Sequence, residues 1–264
     1  MSAYVIQVTD THLFAEPEGE LLGVETQRSL EAVFEAIAAL EVKPDFLLLT
    51  GDLSQDGSEK AYRRLTDKIR ALETPALWLP GNHDEPEVMR STLRGEPYLD
   101  APHTELEHWK ILALDTKLAG SEAGRLSASE LERLTAELDK AQSADQPVLL
   151  AMHHPPLPVG SAWVDALGLE NSEAFFEVVG RCDCVRLVLC GHVHQEFRGE
   201  VERVIYLTTP STCFQFAPVS EDFGLDPVAP GYRSIWLNDD GTFRTEVTRV
   251  EAAYQEVDTS SGGY

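Results

Sequence analysis

The chain predicts an α/β fold, and three observations point there. Short apolar runs alternate with amphipathic helical stripes over roughly the first 190 residues. Each run stops abruptly at Gly, Pro or a polar cluster, as a buried strand does. After about residue 200 the pattern changes to short strand-like segments joined by turns, which adds antiparallel strands to a mainly parallel, doubly covered sheet.

In order, Ala3 to Thr9 reads as a buried strand ending at Asp10-Thr11-His12, and a loop with Pro17 and Gly19 follows. Leu30, Val33, Phe34, Ile37 and Leu40 form the stripe of a helix over 26–40, with Thr26 as its expected cap. Asp45 to Thr50 is a second strand, ending at Gly51-Asp52; Ser58 opens a helix to about Leu72; Ala76 to Leu79 is a third strand, stopped by Pro80-Gly81. Strand-helix-strand-helix-strand is the βαβ arrangement. Residues 85–93 read as a short helix, 110–114 as a strand, and 127–141 as a helix with Ser127 and Glu130 as a capping box. Pro147 to Met152 is a strand ending in His153-His154-Pro155-Pro156; a Pro/Gly-rich segment, a helix over 172–179 and a strand from Val185 to Cys190 follow. Residues 201–207, 211–216, 232–237 and 242–250 read as the antiparallel strands, with a long irregular loop over 221–230. Residues 1–250 are expected to form one domain and 251–264 a mobile C-terminal tail.

Composition narrows the function. The formal charge of −24 opposes a nucleic-acid groove or an anionic membrane surface, both of which require clustered Lys and Arg. Cys182, Cys184, Cys190 and Cys213 form no paired C-x-x-C motif, and neither a zinc knuckle nor a disulfide framework is expected. Val5-Ile6 is too short for a signal peptide, and no apolar run is long enough to cross a bilayer, so the expectation is a soluble, cytoplasmic protein.

Five strand ends carry polar groups: Asp10 and His12, Asp52, Asn82 and His83, His153, and His192 and His194. In open α/β sheets ligands sit just beyond the carboxyl ends of strands. One histidine in such a place is ordinarily a structural residue with its bonds satisfied. Five of the eight histidines gathered there have no such explanation, and a shared metal site does explain them. Imidazoles with carboxylates and an amide oxygen, and no thiolate, suit Mn, Fe or Zn. Seven ligands are too many for one tetrahedral ion and suit two sharing a bridge, for which Asp52 is the natural carboxylate. His154, His103 and His108 are read as structural or surface residues.

Asp10-x-His12, Gly51-Asp52, Gly81-Asn-His-Asp84, His153-x-Pro155 and Gly191-His-x-His194 together, in this order, resemble the calcineurin-like metallophosphoesterase family over nearly the whole chain. The narrower resemblance is to bacterial class III 3′,5′-cyclic-AMP phosphodiesterases. It rests on Thr9 to Phe14, Leu21 to Val24, Gly51 to Asp56, Trp78 to Asp84, Leu189 to Gln195 and Pro210 to Cys213. The resemblance implies a four-layer α/β/β/α sandwich of mixed sheets. It implies one metal on Asp10, His12, Asp52 and His194, and a second on Asp52, Asn82, His153 and His192. The ions would be Fe²⁺ or Mn²⁺, with Zn²⁺ the third choice.

His83 would be catalytic, protonated or sharing a proton with Asp84, and His12, Asp52, Asn82, His83 and His194 would meet the substrate. Two-metal chemistry implies a bridging hydroxide attacking phosphorus, which would open cyclic AMP at the 3′ oxygen to give 5′-AMP. The alternatives are a broader phosphodiesterase for other cyclic nucleotides or glycerophosphodiesters, and a non-enzymatic scaffold of the same fold, which the intact motifs oppose. A small cyclic nucleotide is the expected partner, with no nucleic acid or membrane, in a monomer or homodimer. Phe14, Leu21 to Val24 and Phe214 to Phe216 fall in stretches that could border the site.

Overall fold

Two mixed sheets lie face to face with helices on both outer faces, in a computed structural model that describes residues 2–99, 101–260 and 263. The first half of the chain runs β1 (Ala3–Val8), a small hairpin of β2 (Glu20–Leu21) and β3 (Val24–Glu25), α1 (Thr26–Ala38), β4 (Phe46–Thr50), α2 (Glu59–Leu72), β5 (Ala76–Leu79) and α3 (Pro86–Thr92). Next come β6 (His103–Leu106), β7 (Trp109–Leu114), α4 (Ala128–Ser143), β8 (Val148–Met152), α5 (Ala162–Asp165), α6 (Ser172–Val179) and β9 (Val185–Cys190). The rest is β10 (Phe197–Val201), β11 (Val204–Thr208), β12 (Gln215–Phe216), β13 (Leu225–Asp226), β14 (Gly231–Leu237) and β15 (Phe243–Arg249).

One sheet has the order β15-β14-β1-β4-β5, the other β10-β11-β9-β8-β7-β6. β1, β4 and β5 pair in parallel, as do β7, β8, β9 and β11, while β14, β15, β6 and β10 add antiparallel edges. The layering follows from period-two alternation within apolar strands. Val5, Phe46 and Leu48 face Ile111, Leu149 and Leu187 in the core between the sheets. Ile6, Val8, Leu47 and Leu49 face outward onto Leu30, Phe34, Tyr62 and Leu65 of α1 and α2. Leu112, Leu150 and Val188 pack against Leu134, Leu138 and Phe175 of α4 and α6. This is the four-layer α/β/β/α sandwich.

Polar cross-links hold the two sheets together at the rim that carries the motifs. The buried Gln7 donates to Thr50 Oγ1 at 2.9 Å and to the Cys190 carbonyl at 3.1 Å, joining β1, β4 and β9. Arg233 of β14 donates to the Thr208 carbonyl at 2.8 Å.

Three local expectations are corrected. Thr26 does not cap α1: Glu25 occupies the N-cap and makes no side-chain cap bond. Ser127 does cap α4, accepting from the Glu130 amide at 3.1 Å, but the reciprocal half of the box is not made because Glu130 accepts from the Asp115 amide at 2.9 Å. Of the strand expected over 211–216, only Gln215–Phe216 is one. The C-terminal segment makes hydrogen bonds to the rest of the chain as far as Asp258. Gln255 exchanges 3.1 Å bonds with the Glu25 backbone in both directions, and the Asp258 amide donates to the Leu22 carbonyl at 2.8 Å. Residues 261, 262 and 264 of that tail lie outside the described residues. Among the described residues no helix is long and apolar enough to cross a membrane.

Candidate dinuclear metal centre

The rim where β1, β4, β5, β8 and β9 end brings together all seven side chains expected to hold metal. It does so through backbone that most residues avoid. Asp10, His12, Asp52, His192 and His194 have φ of 53°, 45°, 49°, 69° and 45°, in the left-handed region that costs a non-glycine residue about 1–2 kcal/mol. Such strain persists only where the surroundings over-determine it, and it concentrates at functional sites. Gly81 is needed for a different reason: a Cβ there would lie 2.1 Å from Asp52 Oδ1, so only glycine lets the Asn82 turn approach the Asp52 turn.

Hydrogen bonds fix which nitrogen of each ring faces inward. His194 Nδ1 donates to the Phe214 carbonyl at 3.0 Å, and His12 Nδ1 to Gln55 Oε1 at 2.6 Å. A carbonyl only accepts, so in each neutral ring Nε2 carries the lone pair. Those two Nε2 atoms face each other at 3.1 Å. His153 repeats the pattern: Nδ1 donates to the Thr50 carbonyl at 2.8 Å, and Nε2 points at Asn82 Oδ1 and Asp52 Oδ2, each at 3.2 Å. His192 Nδ1 lies 3.1 Å from the same Asn82 oxygen.

Lone pairs converging without protons between them repel, unless a cation sits among them. The spacings are those of ligands on one ion, because bonds of about 2.0–2.2 Å place neighbouring donors about 3.0–3.5 Å apart. The residues therefore fit a metal. Two half-sites are visible: Asp10, His12 and His194, with His194 Nε2 at 3.4 Å from Asp10 Oδ1; and Asn82, His153 and His192. Asp52 Oδ2 serves both, at 3.2 Å from His153 Nε2 and 3.9 Å from His12 Nε2. It has the placement of a bridge.

Electrostatics agree. Burial raises Asp52, but His153, then His83 and His12, hold it well below the ordinary carboxylate value. Asp10 is likewise lowered against its burial, by His194 and then His153. Burial pushes His12 and His192 down to about 3, leaving them neutral donors at any ordinary pH. Burial also lowers His153, yet Asp52 and then Asp10 outweigh it and raise the imidazole to about 9. A cation among these groups is what the field demands, whether proton or metal.

Several supporting residues were not legible in the sequence. Gln55 and the carbonyls of Thr50 and Phe214 orient the imidazoles, as outer partners of metal ligands do. Lys117 donates to the Asn82 carbonyl at 2.7 Å. Asp84 accepts from the amides of Leu53, Ser54 and Gly81 and from the Tyr62 hydroxyl, at 2.9–3.1 Å. It clamps the Asp52 turn to the Asn82 turn. Burial, then the charge of Asp52, raises Asp84 to about 6 against its backbone donors. His154 is tied at both nitrogens, to Thr116 Oγ1 at 2.8 Å and the Glu122 carbonyl at 3.1 Å. His103 and His108 are exposed, away from the cluster.

His83 donates its amide to Asp52 Oδ1 at 2.9 Å, and its half-buried ring lies 5.1 Å from that of His12. It lines a cavity of about 220 Å³ together with Asn82, His192, Trp163, Phe216 and Phe223. Of the stretches expected to border the site, Phe216 does, whereas Phe214 is buried against the rings of His12 and His194. Trp163 and Phe223 were missed.

Residues 3–196 match the family model described as calcineurin-like phosphoesterase. The chain belongs to the calcineurin-like phosphoesterase family. Its relatives include the 3′,5′-cyclic adenosine monophosphate phosphodiesterase of Vibrio vulnificus, 42% identical and covering 100% of this chain and 96% of that one. A 3′,5′-cyclic-nucleotide phosphodiesterase of Nostoc is 39% identical, covering 93% of this chain and 92% of its own. Among solved structures, a dimetal phosphatase from Danio rerio superposes with a TM-score of 0.64 at 16% identity, covering 94% of this chain and 99% of that one. That likeness is of fold alone.

Proposed function

We propose that this family member hydrolyses 3′,5′-cyclic AMP to 5′-AMP with two divalent cations. One would be held by Asp10, His12, Asp52 and His194, the other by Asp52, Asn82, His153 and His192. The observation that carries the reading is the pair of inward lone pairs, His12 Nε2 and His194 Nε2 at 3.1 Å, beside a carboxylate shared with a second set of donors. Cyclic nucleotide diesterases at about 40% identity over nearly the full length support the substrate. Fe²⁺ or Mn²⁺ suits the mixed imidazole, carboxylate and amide donors, with Zn²⁺ a further possibility.

Bound divalent ions supply a nucleophile at neutral pH and neutralise charge on the phosphate oxygens. The chain's own groups do the rest. Asp10 and Asp52 are ionised, and with two divalent ions bound four positive charges set against their two negative ones would leave the floor of the cavity electropositive inside a protein of net charge −24. A small anion can dwell there, while an extended polyanion meets repulsion over its whole footprint. Asn82 and His12 orient the substrate from the two half-sites. His83, fixed by its amide to Asp52 and bordering the cavity, donates a proton to the departing 3′ oxygen as the P–O3′ bond breaks. The oxygen of the attacking water replaces O3′ on phosphorus in 5′-AMP.

The test is turnover of cyclic AMP beside bis-p-nitrophenyl phosphate and glycerophosphocholine, after chelation and re-addition of Mn²⁺, Fe²⁺ or Zn²⁺. Metal-restored hydrolysis of cyclic AMP above the other two is expected. Metal-dependent cleavage of the others without cyclic AMP would replace the substrate assignment by the broader diesterase.

A further inference from the structure

The cavity at the metal centre has two chemically different linings. Asn82, His83, Glu122 and His192 supply polar atoms, and Trp163, Phe216 and Phe223 supply rings. The rings form one connected group: Trp163 lies 4.7 Å from Phe216 and 5.2 Å from Phe223, both edge to face. Phe216 in turn stacks on His194 at 4.4 Å with the planes 17° apart. Two ring contacts thus lead from a metal-site imidazole to the indole.

Core packing accounts for Phe214 and Phe216, which are buried. Packing against those rings and against Val159, Val164 and Val193 accounts for one side of Trp163 but not for its donor. This residue is half-buried on the four-residue α5, borders the cavity, and its buried indole Nε1–H has no hydrogen-bond partner among the described residues. Buried donors are almost always satisfied, and an orphan calls for an explanation. Indole is chosen where a large flat surface and one directed donor are wanted together.

We propose that Trp163, with Phe216 and Phe223, is the nucleobase subsite: the aromatic group receives a purine ring, and the Trp163 N–H is the donor that a ring nitrogen of the base accepts from. Trp163 is then the residue that distinguishes a purine cyclic nucleotide from a bare cyclic phosphodiester. The assignment deepens the cyclic-nucleotide reading of the metal centre and rests on it.

The experiment compares kcat/KM for cyclic AMP, cyclic CMP and the base-free ribose 3′,5′-cyclic phosphate in wild type, Trp163→Ala and Trp163→Phe. Base stacking of this kind, scored by alanine substitution, predicts a fall of about tenfold to a hundredfold in the preference of Trp163→Ala for cyclic AMP over the base-free ester, carried by KM. Trp163→Phe keeps a ring and loses the donor, so its preference falls between the other two. In wild type the purine ester is preferred to the pyrimidine one, and Trp163→Ala narrows that gap. Equal losses on the base-free ester and on cyclic AMP, or an unchanged KM for cyclic AMP, would overturn the subsite. Failure of wild type to cleave any of the three would instead strike the metal-centre reading.

Discussion

Replacing Gly81 by alanine tests how tightly the two halves of the centre are held together. The added Cβ would sit 2.4 Å from the Asp52 amide nitrogen and 2.1 Å from Asp52 Oδ1, where ordinary contact begins at 3.4 Å. One neighbour is backbone, so no side-chain rotation relieves the clash. The Asn82 turn must move about 1 Å from the Asp52 turn, and displacements of that size at reacting groups cost on the order of a hundredfold in rate. Overpacking of this kind costs about 1–3 kcal/mol, or about 2–12 °C in thermal midpoint for a chain near this length. The folded population therefore survives the change. Steady-state cyclic AMP kinetics alongside a thermal melt should show kcat/KM down about a hundredfold and a midpoint down by no more than that range. A kcat/KM within threefold of wild type, with metal content intact, would refute the reasoning.

Three further outcomes follow from the same geometry. Asp52→Ala should lose both bound metal and turnover, whereas His83→Ala should keep its metal and lose about 10²–10⁴ in kcat, the usual range for a proton donor; metal analysis beside kinetics separates the two. Tyr62→Phe removes a 2.9 Å bond to Asp84 and leaves the Glu85 amide without its 3.0 Å acceptor. That should cost about 1.5–3 kcal/mol and lower the melting midpoint while changing kcat/KM less than tenfold. Glu137 is lowered to about 2 by its bonds to Lys110 and then Lys140, so its contribution to stability is whole above the ordinary glutamate range and fades as pH falls toward 2. In chelated protein the midpoint gap between wild type and Glu137→Gln should narrow steadily from pH 5 toward pH 2; a constant gap would contradict the ion-pair account.

What could be read from the chain followed its physics. Strands buried on both faces are continuous apolar runs, so β1, β4, β5, β7, β8 and β9 were visible, and the motif residues directly after them were found. The edge strands β6 and β10 were not. They close the two ends of one sheet with one face toward water, and His103-Thr-Glu-Leu106 or Phe197-Arg-Gly-Glu-Val201 carries too little apolar signal to register. The alternation alone suggested one doubly covered sheet. Its division into two was implied by the family resemblance, because pairing partners distant in sequence leave no periodic trace. Within the site, the side chains that point at the cluster were legible from their spacing. The groups that aim them were not: two are backbone carbonyls, and Gln55 and Lys117 are polar residues in loops like many others. Trp163 escaped notice because it sits on a four-residue helix inside a Pro/Gly-rich segment. The donors around Asp84 were not legible either, since adjacency to His83 in sequence says nothing about which groups surround a carboxylate.

The most direct measurement is the number of ions bound per chain, by elemental analysis of protein reconstituted with Mn²⁺ or Fe²⁺, with cyclic AMP turnover followed on the same samples. Two ions per chain, falling together with activity on chelation, is the predicted result. Full turnover in metal-free protein, or saturation at a single ion, would contradict a centre built from two half-sites around Asp52.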